Sequence, residues 1–408
     1  MDTLVMGTFL RIEIILLVYM GGTAVYLLIF AIASLFPIKQ KKTEHTDTLR
    51  FVVLIPCYRE DEVILEVARE ALNQQYPGDK FDIVIIADTF EQNTIQELEK
   101  LPLKVMDVCF EVSTKTRAIN HALRQLPNNA YDAVCILDAD NIMELDFLLK
   151  MNHALNQGFV AVQGHRVAKN INTSFALLDA ISEEINNQIF RKGQRVIGLS
   201  SALIGSAMVF RYAFFKQMMQ EVEVVGGFDK ELEIRLLRDG HTIGYIDNAY
   251  VFDEKVQNAK VFSRQRRRWL SAQVHYFGKS LLPATKALLV CGNIEYFNKA
   301  VQYVQLPRIL LIGLISLFAL TSLVFGIPTL TLWWLISWFF TIMALLLATP
   351  RQYFIPETLR ALFFLPIGFF FMFLSLVRIK GANKQFIHTK HTYNAFQIKR
   401  KLFFHQKP

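Results

Sequence analysis

Neither a GxGxxG loop nor a P-loop of the form GxxxxGKS or GxxxxGKT occurs in the sequence. Dinucleotide-redox sites and P-loops use those glycines to bring backbone amides against phosphate, so both readings lose their main support. Cysteine is scarce. Cys57, Cys109, Cys135 and Cys291 form no CxxC pair and have no histidine at zinc spacing. That pattern fits a reducing compartment and gives no evidence for a disulfide or a structural metal. Internal repeats, low-complexity segments and a nucleic-acid signature are missing too, which argues against arrays, linkers and DNA or RNA partners.

What the chain has is apolar length and positive charge. Hydrophobic residues make up 52% of its 408, phenylalanine alone numbers 34, and the formal net charge is +8. With a mean hydropathy of +0.28, this is too apolar for an ordinary soluble protein. The apolar residues are gathered into blocks at Ile14–Phe36, Ile309–Phe325, Leu330–Ala348 and Ala361–Val377. A bilayer span needs about 20 such residues, so the first three qualify and the last is marginal. The N-terminal block is too long for a signal-peptide core and lacks a cleavage site, so it is expected to stay as an anchor. Lys39, Lys41, Lys42 and Arg50 follow it, while Arg11 is the one basic residue before it. The positive-inside rule then puts the N-terminus outside and the chain from Lys39 to about Ala300 in the cytosol. Three full C-terminal spans would put the tail outside, yet Arg378–Pro408 holds eight Lys/Arg and no acid. The Pro366-containing segment is therefore expected to be re-entrant or interfacial. This gives an anchor at 1–42, a globular domain at 43–279, an interfacial segment at 280–300, membrane segments at 301–378 and a basic, cytosolic tail at 379–408.

Within the globular domain, Phe51–Ile55, Phe81–Ala87 and Ala133–Leu137 are short, apolar, β-branched runs. Each ends in a polar cluster, as buried parallel strands do. Helical patterns over Asp61–Gln75 and Lys115–Leu126 separate them. The alternation predicts an α/β, Rossmann-like sheet with ligands at the carboxyl ends of the strands. Those ends read PCYRED from Pro56, ADTF from Ala87 and DADN from Asp138, so the crevice presents Glu60, Asp88, Asp138 and Asp140. Aspartate after a strand is also ordinary turn chemistry. Acids from three strands in a protein of positive charge suit a hard divalent cation that carries a polyphosphate.

Further on, GGFDKELEIRLLRDG (Gly226–Gly240) reads as a helix led by glycines. Asp229 there either caps the helix or accepts a proton from a substrate hydroxyl. FSRQRRRWLSAQ (Phe262–Gln273) admits two readings as well. As a helix it places Gln265, Arg268 and Trp269 on one face and points Arg266 and Arg267 away. Arginine and tryptophan are both common at membrane interfaces, so Arg264, Arg266 and Arg267 also suit a collar on anionic lipid.

Taken in order, these clusters resemble the family-2 membrane glycosyltransferases, which include cellulose, hyaluronan and poly-N-acetylglucosamine synthases and ceramide glucosyltransferase. The family pattern is an Asp after an early strand, a DxD, a later Asp opening a helix, and QxxRW before the C-terminal membrane segments. Here these look like Asp88, Asp138–Ala139–Asp140, Asp229 and Gln265–Trp269. PCYRE is similar to the family's first nucleotide-binding loop, KTRAIN (Lys115–Asn120) to its diphosphate-side lysine segment, and LIGSAMVF (Leu203–Phe210) to its acceptor-side segment. One departure is Gly227–Phe228–Asp229 where the family usually has Thr-Glu-Asp, which leaves Glu231 as the fallback base.

The resemblance implies a GT-A domain of the α/β class in the cytosol, flanked by transmembrane helices, in the cytoplasmic membrane. It implies an inverting transferase taking a nucleotide-sugar, with a UDP-sugar expected. Pro56, Tyr58, Glu60, Asp88, Lys115, Asp138 and Asp140 are its expected donor residues. Asp140 and Asp138 are the expected ligands of Mg²⁺ or Mn²⁺, and Asp229 the expected base. Gly205, Ser206, Gln265, Arg268 and Trp269 are expected at the acceptor and diphosphate. The intact QxxRW favours a growing β-linked polysaccharide as acceptor. The small number of spans favours the alternative, a single sugar added to a lipid such as a polyprenyl phosphate or glycolipid. A transporter or non-catalytic anchor would give the acids no role.

Overall fold

The computed structural model describes residues 2–39, 46–224, 226–257, 259–325 and 327–377. Lys41, Lys42 and the basic tail lie outside the described residues, as does the Arg264 side chain. Helix α1 (Asp2–Ala33) precedes β1 (Phe51–Tyr58), α2 (Asp61–Leu72), β2 (Phe81–Asp88), α3 (Gln92–Glu99), β3 (Lys104–Val108), α4 (Lys115–Gln125) and β4 (Ala133–Ile136). Then come β5 (Ile142–Met143), α5 (Phe147–Asn156), β6 (Ala161–Ala168), α6 (Ser174–Asn186) and α7 (Gly193–Ile197). A π-helical stretch, Asn187–Lys192, joins α6 to α7. The domain continues with β7 (Met208–Arg211), α8 (Tyr212–Met219), α9 (Phe228–Arg238) and β8 (Ile243–Asp253). The rest is helical: α10 (Ala259–Cys291), α11 (Ile294–Val304), α12 (Arg308–Phe325), α13 (Pro328–Ala348), α14 (Pro356–Leu362) and α15 (Leu365–Val377).

The strands form one sheet in the order β3-β2-β1-β4-β7-β6-β8-β5. Its first half is the parallel, Rossmann-like sheet expected from the three apolar runs. Beyond β4 it becomes mixed, with β7 antiparallel to both β4 and β6 and with β5 antiparallel to β8. The apolar runs do not announce this second half, because β6 carries buried Gln163, His165 and Arg166 and β8 ends in buried Asp253. Alternate residues of β1 serve opposite faces. Val52 and Leu54 pack with α4, α8 and α9, whereas Phe51, Val53 and Ile55 pack with α2 and α5. A strand covered on both faces has no polar alternation, which is why it reads as continuous apolar sequence. The register pairs Tyr58 with Asp88 and Leu54 with Ile136, so the polar clusters after β1, β2 and β4 arrive side by side.

Among the described residues three helices are long and apolar enough to cross a membrane, Gly7–Ala33, Arg308–Phe325 and Pro328–Ala348. Phe9, Leu320, Phe325 and Trp333 project from them with more than half their surface uncovered, as side chains facing lipid would. The Pro366-containing segment is α14 and α15, bent by 47°, a geometry shared by a broken span and a re-entrant loop. Helix α10 runs unbroken through residue 280, where the interfacial segment was expected to begin. The anchor and the globular domain touch backbone to backbone. A Cβ on Gly193 would lie 2.2 Å from the Phe30 carbonyl oxygen, so only glycine lets α7 sit against α1 there.

Candidate active site

The site begins where β1 and β2 end. The chain leaves each strand in the left-handed region, Arg59 at φ 53° and Thr89 at φ 60°. Ala207, at φ 53°, completes the set of non-glycine residues with positive φ among the described residues. Each conformation costs about 1–3 kcal/mol, and Arg59 and Thr89 adjoin residues that line one cavity. The turn after β2 buries Asp88, whose carboxylate accepts from the Thr89 hydroxyl at 2.9 Å. After β4, Asn141 acts as a clip. It accepts from the Asp138 amide at 3.2 Å and donates to Asp140 at 3.1 Å. The second Asp140 oxygen accepts from the Glu254 amide at 2.7 Å, which ties the DxD to the end of β8.

Lys115 opens α4 beside Thr114, whose hydroxyl caps that helix by accepting from the Arg117 amide. From there the ammonium reaches Asp138 at 2.5 Å and donates to the Gly205 carbonyl at 2.6 Å. Gly205 in turn abuts Asp229: a Cβ on that glycine would lie 3.9 Å from the Asp229 Cβ. Asp138 and Asp229 also both act on the Arg268 guanidinium. Burial lowers its pKa, and the two carboxylates oppose that shift. One short path thus runs Asp138–Lys115–Gly205–Asp229, with Arg268 between its ends.

Asp229 does not cap its helix. The N-cap of α9 is Gly227 at φ 76°, and it carries no side-chain cap bond. Asp229 is left in the first turn, one-fifth exposed, with Lys230 at 3.5 Å. Glu231, the fallback, is committed elsewhere: it pairs with Arg235 at 2.9 Å and Lys279 at 2.7 Å. Burial alone would raise its pKa, but those two cations outweigh it and lower the value.

The cavity, about 1290 Å³, is lined by Pro56, Tyr58, Glu60, Asp88, Lys115, Asp138, Asp140, Gly205, Asp229, Gln265, Arg268 and Trp269. Of the expected site residues, Ser206 alone is absent from that lining. It is wholly buried and its hydroxyl accepts from Arg166 at 3.2 Å, so it positions an arginine rather than facing a ligand. Arg266 needs a second correction. It does not point to a lipid surface but forms an ion pair with the buried Asp179 of α6 and stacks over Trp269, 4.4 Å from the ring centre. The i, i+3, i+4 rule sorts residues by helix face and does not foresee a partner such as Asp179 arriving from another helix.

Sequence reasoning missed a buried ion network beneath the DxD. Arg166 of β6 pairs with Glu183 of α6 at 2.9 Å and Asp253 of β8 at 3.3 Å, and Lys255 joins both acids. Burial pushes Asp253 up to about 7, whereas Arg166 and Lys255 overcome the same effect at Glu183 and hold it well below the carboxylate range. These residues share no motif, and buried charge in a strand carries no periodic signal.

Asp138 and Asp140 fit a divalent ion of a particular kind. No group of three or more His, Cys, Asp or Glu gathers to hold a metal among the described residues. Two lining carboxylates suit Mg²⁺ or Mn²⁺ arriving with a diphosphate and water, which need one or two protein oxygens rather than a full cage.

A mixed sheet with its crevice at the ends of β1, β2 and β4 and a carboxylate pair after β4 is a GT-A-like glycosyltransferase fold. The chain belongs to the glycosyltransferase like family 2, whose model matches residues 49–272, more than half of its length. It is similar to "Probable glycosyltransferase YdaM" of Bacillus subtilis (strain 168), 25% identical over 229 residues, 53% of each chain. Beta-monoglucosyldiacylglycerol synthase of Trichormus variabilis is 26% identical over 55% of this chain and 49% of its own. Poly-beta-1,6-N-acetyl-D-glucosamine synthase of Staphylococcus epidermidis is 26% identical over 43% of each. The chain thus spans about half the length of the curated relatives it matches. Among solved structures, a mannosyltransferase from Pyrobaculum calidifontis in complex with GDP-Man and Mn²⁺ superposes with a TM-score of 0.49. It is 17% identical, covering 82% of this chain and 97% of that one.

Proposed function

We propose that this glycosyltransferase moves one sugar from a nucleotide-sugar, a UDP-sugar in the first instance, to a hydroxyl of a membrane lipid, with inversion. The observation that carries the lipid acceptor is the shape of the cavity. It is continuous from Asp138 and Asp229 into a limb between helices α12, α13, α14 and α15, lined by Ile312, Ile342, Leu345, Leu359 and Leu362. A glycan channel needs hydroxyl and amide partners along its length, whereas this limb is mostly apolar, with hydroxyls at Thr349, Tyr353 and Thr358. The intact Gln265–Trp269 motif keeps the growing polysaccharide as the second reading.

In this reading Asp229 takes the proton of the acceptor hydroxyl. The oxygen's electron pair forms the new bond to the anomeric carbon. The bond from that carbon to the diphosphate oxygen breaks, and its electrons leave with the nucleoside diphosphate. One displacement inverts the centre, giving a β-linkage from an α-linked donor. Lys115 and Arg268 hold the diphosphate, Arg268 by its planar fork. Asp138 and Asp140 would hold a divalent ion, which would neutralise the leaving charge. Pro56, Tyr58, Glu60 and Asp88 form the nucleoside side of the crevice, and Trp269 offers the acceptor headgroup a flat face. The catalytic domain works at the cytosolic face of the cytoplasmic membrane.

The test is a screen of nucleotide-sugars with Mg²⁺ and Mn²⁺, using the full chain in lipid nanodiscs and sizing the product. A lipid-extractable adduct of one sugar is expected. A ladder of glycan sizes would replace this reading with the second.

A further inference from the structure

Two arginines in this cavity have no use in the reaction just described. Arg308 opens α12 at the point where the polar end meets the apolar limb, beside Pro307 and Ile312 in the lining. Its guanidinium donates to the Asn186 side-chain oxygen at 2.6 Å and to the Ser182 carbonyl and hydroxyl at 2.8 and 3.0 Å. Arg191, nine-tenths buried, donates to the Asn187 side-chain oxygen at 2.7 Å and the Ala202 carbonyl at 3.2 Å. All of these acceptors are neutral. Among the described residues no carboxylate pairs with either arginine, because Asp179 is taken by Arg266 and Glu183 by Arg166 and Lys255.

Arg191 is buried and Arg308 partly so, and Glu183 acts on Arg191 only from beyond ion-pair distance; two such cations lining one cavity ask for an anion from outside the chain. The donor diphosphate is not that anion in this reading, since it is held by Lys115, which pairs with Asp138, and by Arg268, on which Asp138 and Asp229 act. A guanidinium fork matches phosphate oxygens two at a time. We infer that Arg308, with Arg191, binds a phosphate of the acceptor, which is a phosphate-bridged amphiphile. Its sugar or polyol hydroxyl reaches Asp229, its phosphate rests at Arg308, and its alkyl chain fills the limb between α12 and α15. The inference rests on the lipid-acceptor reading above and narrows it. A phosphate between headgroup and chain also leaves Asp229 its task, because the nucleophile is a hydroxyl and not the phosphate itself.

The experiment compares three acceptors with the wild-type full chain in nanodiscs: a phosphate-bridged lipid bearing a polyol or sugar, a neutral glycolipid of the same chain, and a soluble oligosaccharide. The phosphate-bridged lipid is expected to show a kcat/KM about tenfold higher than the neutral one. Arg308→Gln should erase that preference by raising KM for the phosphate acceptor, and Arg308→Lys should restore part of it. If Arg308→Gln fails to fold, competition against the wild type decides: dodecyl phosphate should compete with the acceptor, whereas dodecanol and inorganic phosphate should not. Preference for the neutral glycolipid, or inorganic phosphate competing as well as dodecyl phosphate, overturns the inference and leaves the lipid reading standing. Transfer to the oligosaccharide alone overturns the lipid reading itself.

Discussion

Replacing Asp229 by Asn removes a charge and a proton acceptor while keeping the shape of the side chain, so it separates catalysis from folding. The helix loses no cap, because Gly227 occupies that position and no side-chain cap bond exists there. What it loses is an anion in its first turn, about 0.3–1 kcal/mol, together with a partly exposed contact to Lys230. The thermal midpoint should therefore fall by no more than about 2–4 °C. Loss of a general base costs about 10²–10⁴-fold in rate, roughly 3–5 kcal/mol of barrier. The assay is release of nucleoside diphosphate and appearance of glycosylated lipid, run beside Glu231→Gln as the control. That control breaks two ion pairs of a buried carboxylate, so it should cost more stability and less turnover. A loss below tenfold for Asp229→Asn, or an equal loss of turnover in the two variants, would refute the assignment of the base.

Other outcomes follow from single contacts. Arg266→Ala strands Asp179 in a site where both partners are nearly covered. It should cost about 3 kcal/mol or more of stability and reduce transfer, with flotation on liposomes unchanged. A stable, active variant that floats less would restore the lipid-collar reading. Gly227→Ala must hold φ 76° and place a Cβ 2.7 Å from the Tyr276 ring. The left-handed conformation alone costs about 1–2 kcal/mol, and displacement of α10 should lower transfer further; wild-type rate and midpoint would show the contact to be soft. His165 is buried against Glu184 at 3.0 Å. Burial lowers its pKa, yet Glu184 and the Asp247 carbonyl win and raise it. The stability it contributes is thus complete below pH 6.5, its ordinary value, and is lost as pH rises through the raised folded value. Thermal midpoints of wild type should decline over that window, and His165→Gln should flatten the decline; parallel curves would remove His165 as the cause.

Much of the crevice was legible in the sequence. β1, β2 and β4 are buried on both faces, so they advertise themselves as apolar runs, and their polar ends had to be neighbours once the strands were parallel. Glu60, Asp88, Asp138 and Asp140 followed from that, while Lys115 came only from the family resemblance. The antiparallel half of the sheet was not legible, because β6 and β8 spend inward positions on Gln163, His165, Arg166 and Asp253. A buried charge can sit in a strand only when partners arrive from α6 and β8, and nothing local to Arg166 names Glu183.

The helix that carries Gln265, Arg268 and Trp269 shows the same division. Sequence alone determined that these three share a face, since helical spacing is a local property of the backbone. Whether that stretch met lipid or the cavity was decided by the tertiary structure, where Asp179 of α6 pairs with Arg266 and the apparent surface charge turns inward. The membrane blocks were equally plain as segments, because span length is a count of apolar residues. Their packing is not such a count. Only the tertiary arrangement opened a limb between α12 and α15 and set Arg308 at its mouth, since contact between helices distant in sequence depends on side-chain shape across the interface and leaves no local periodicity to read.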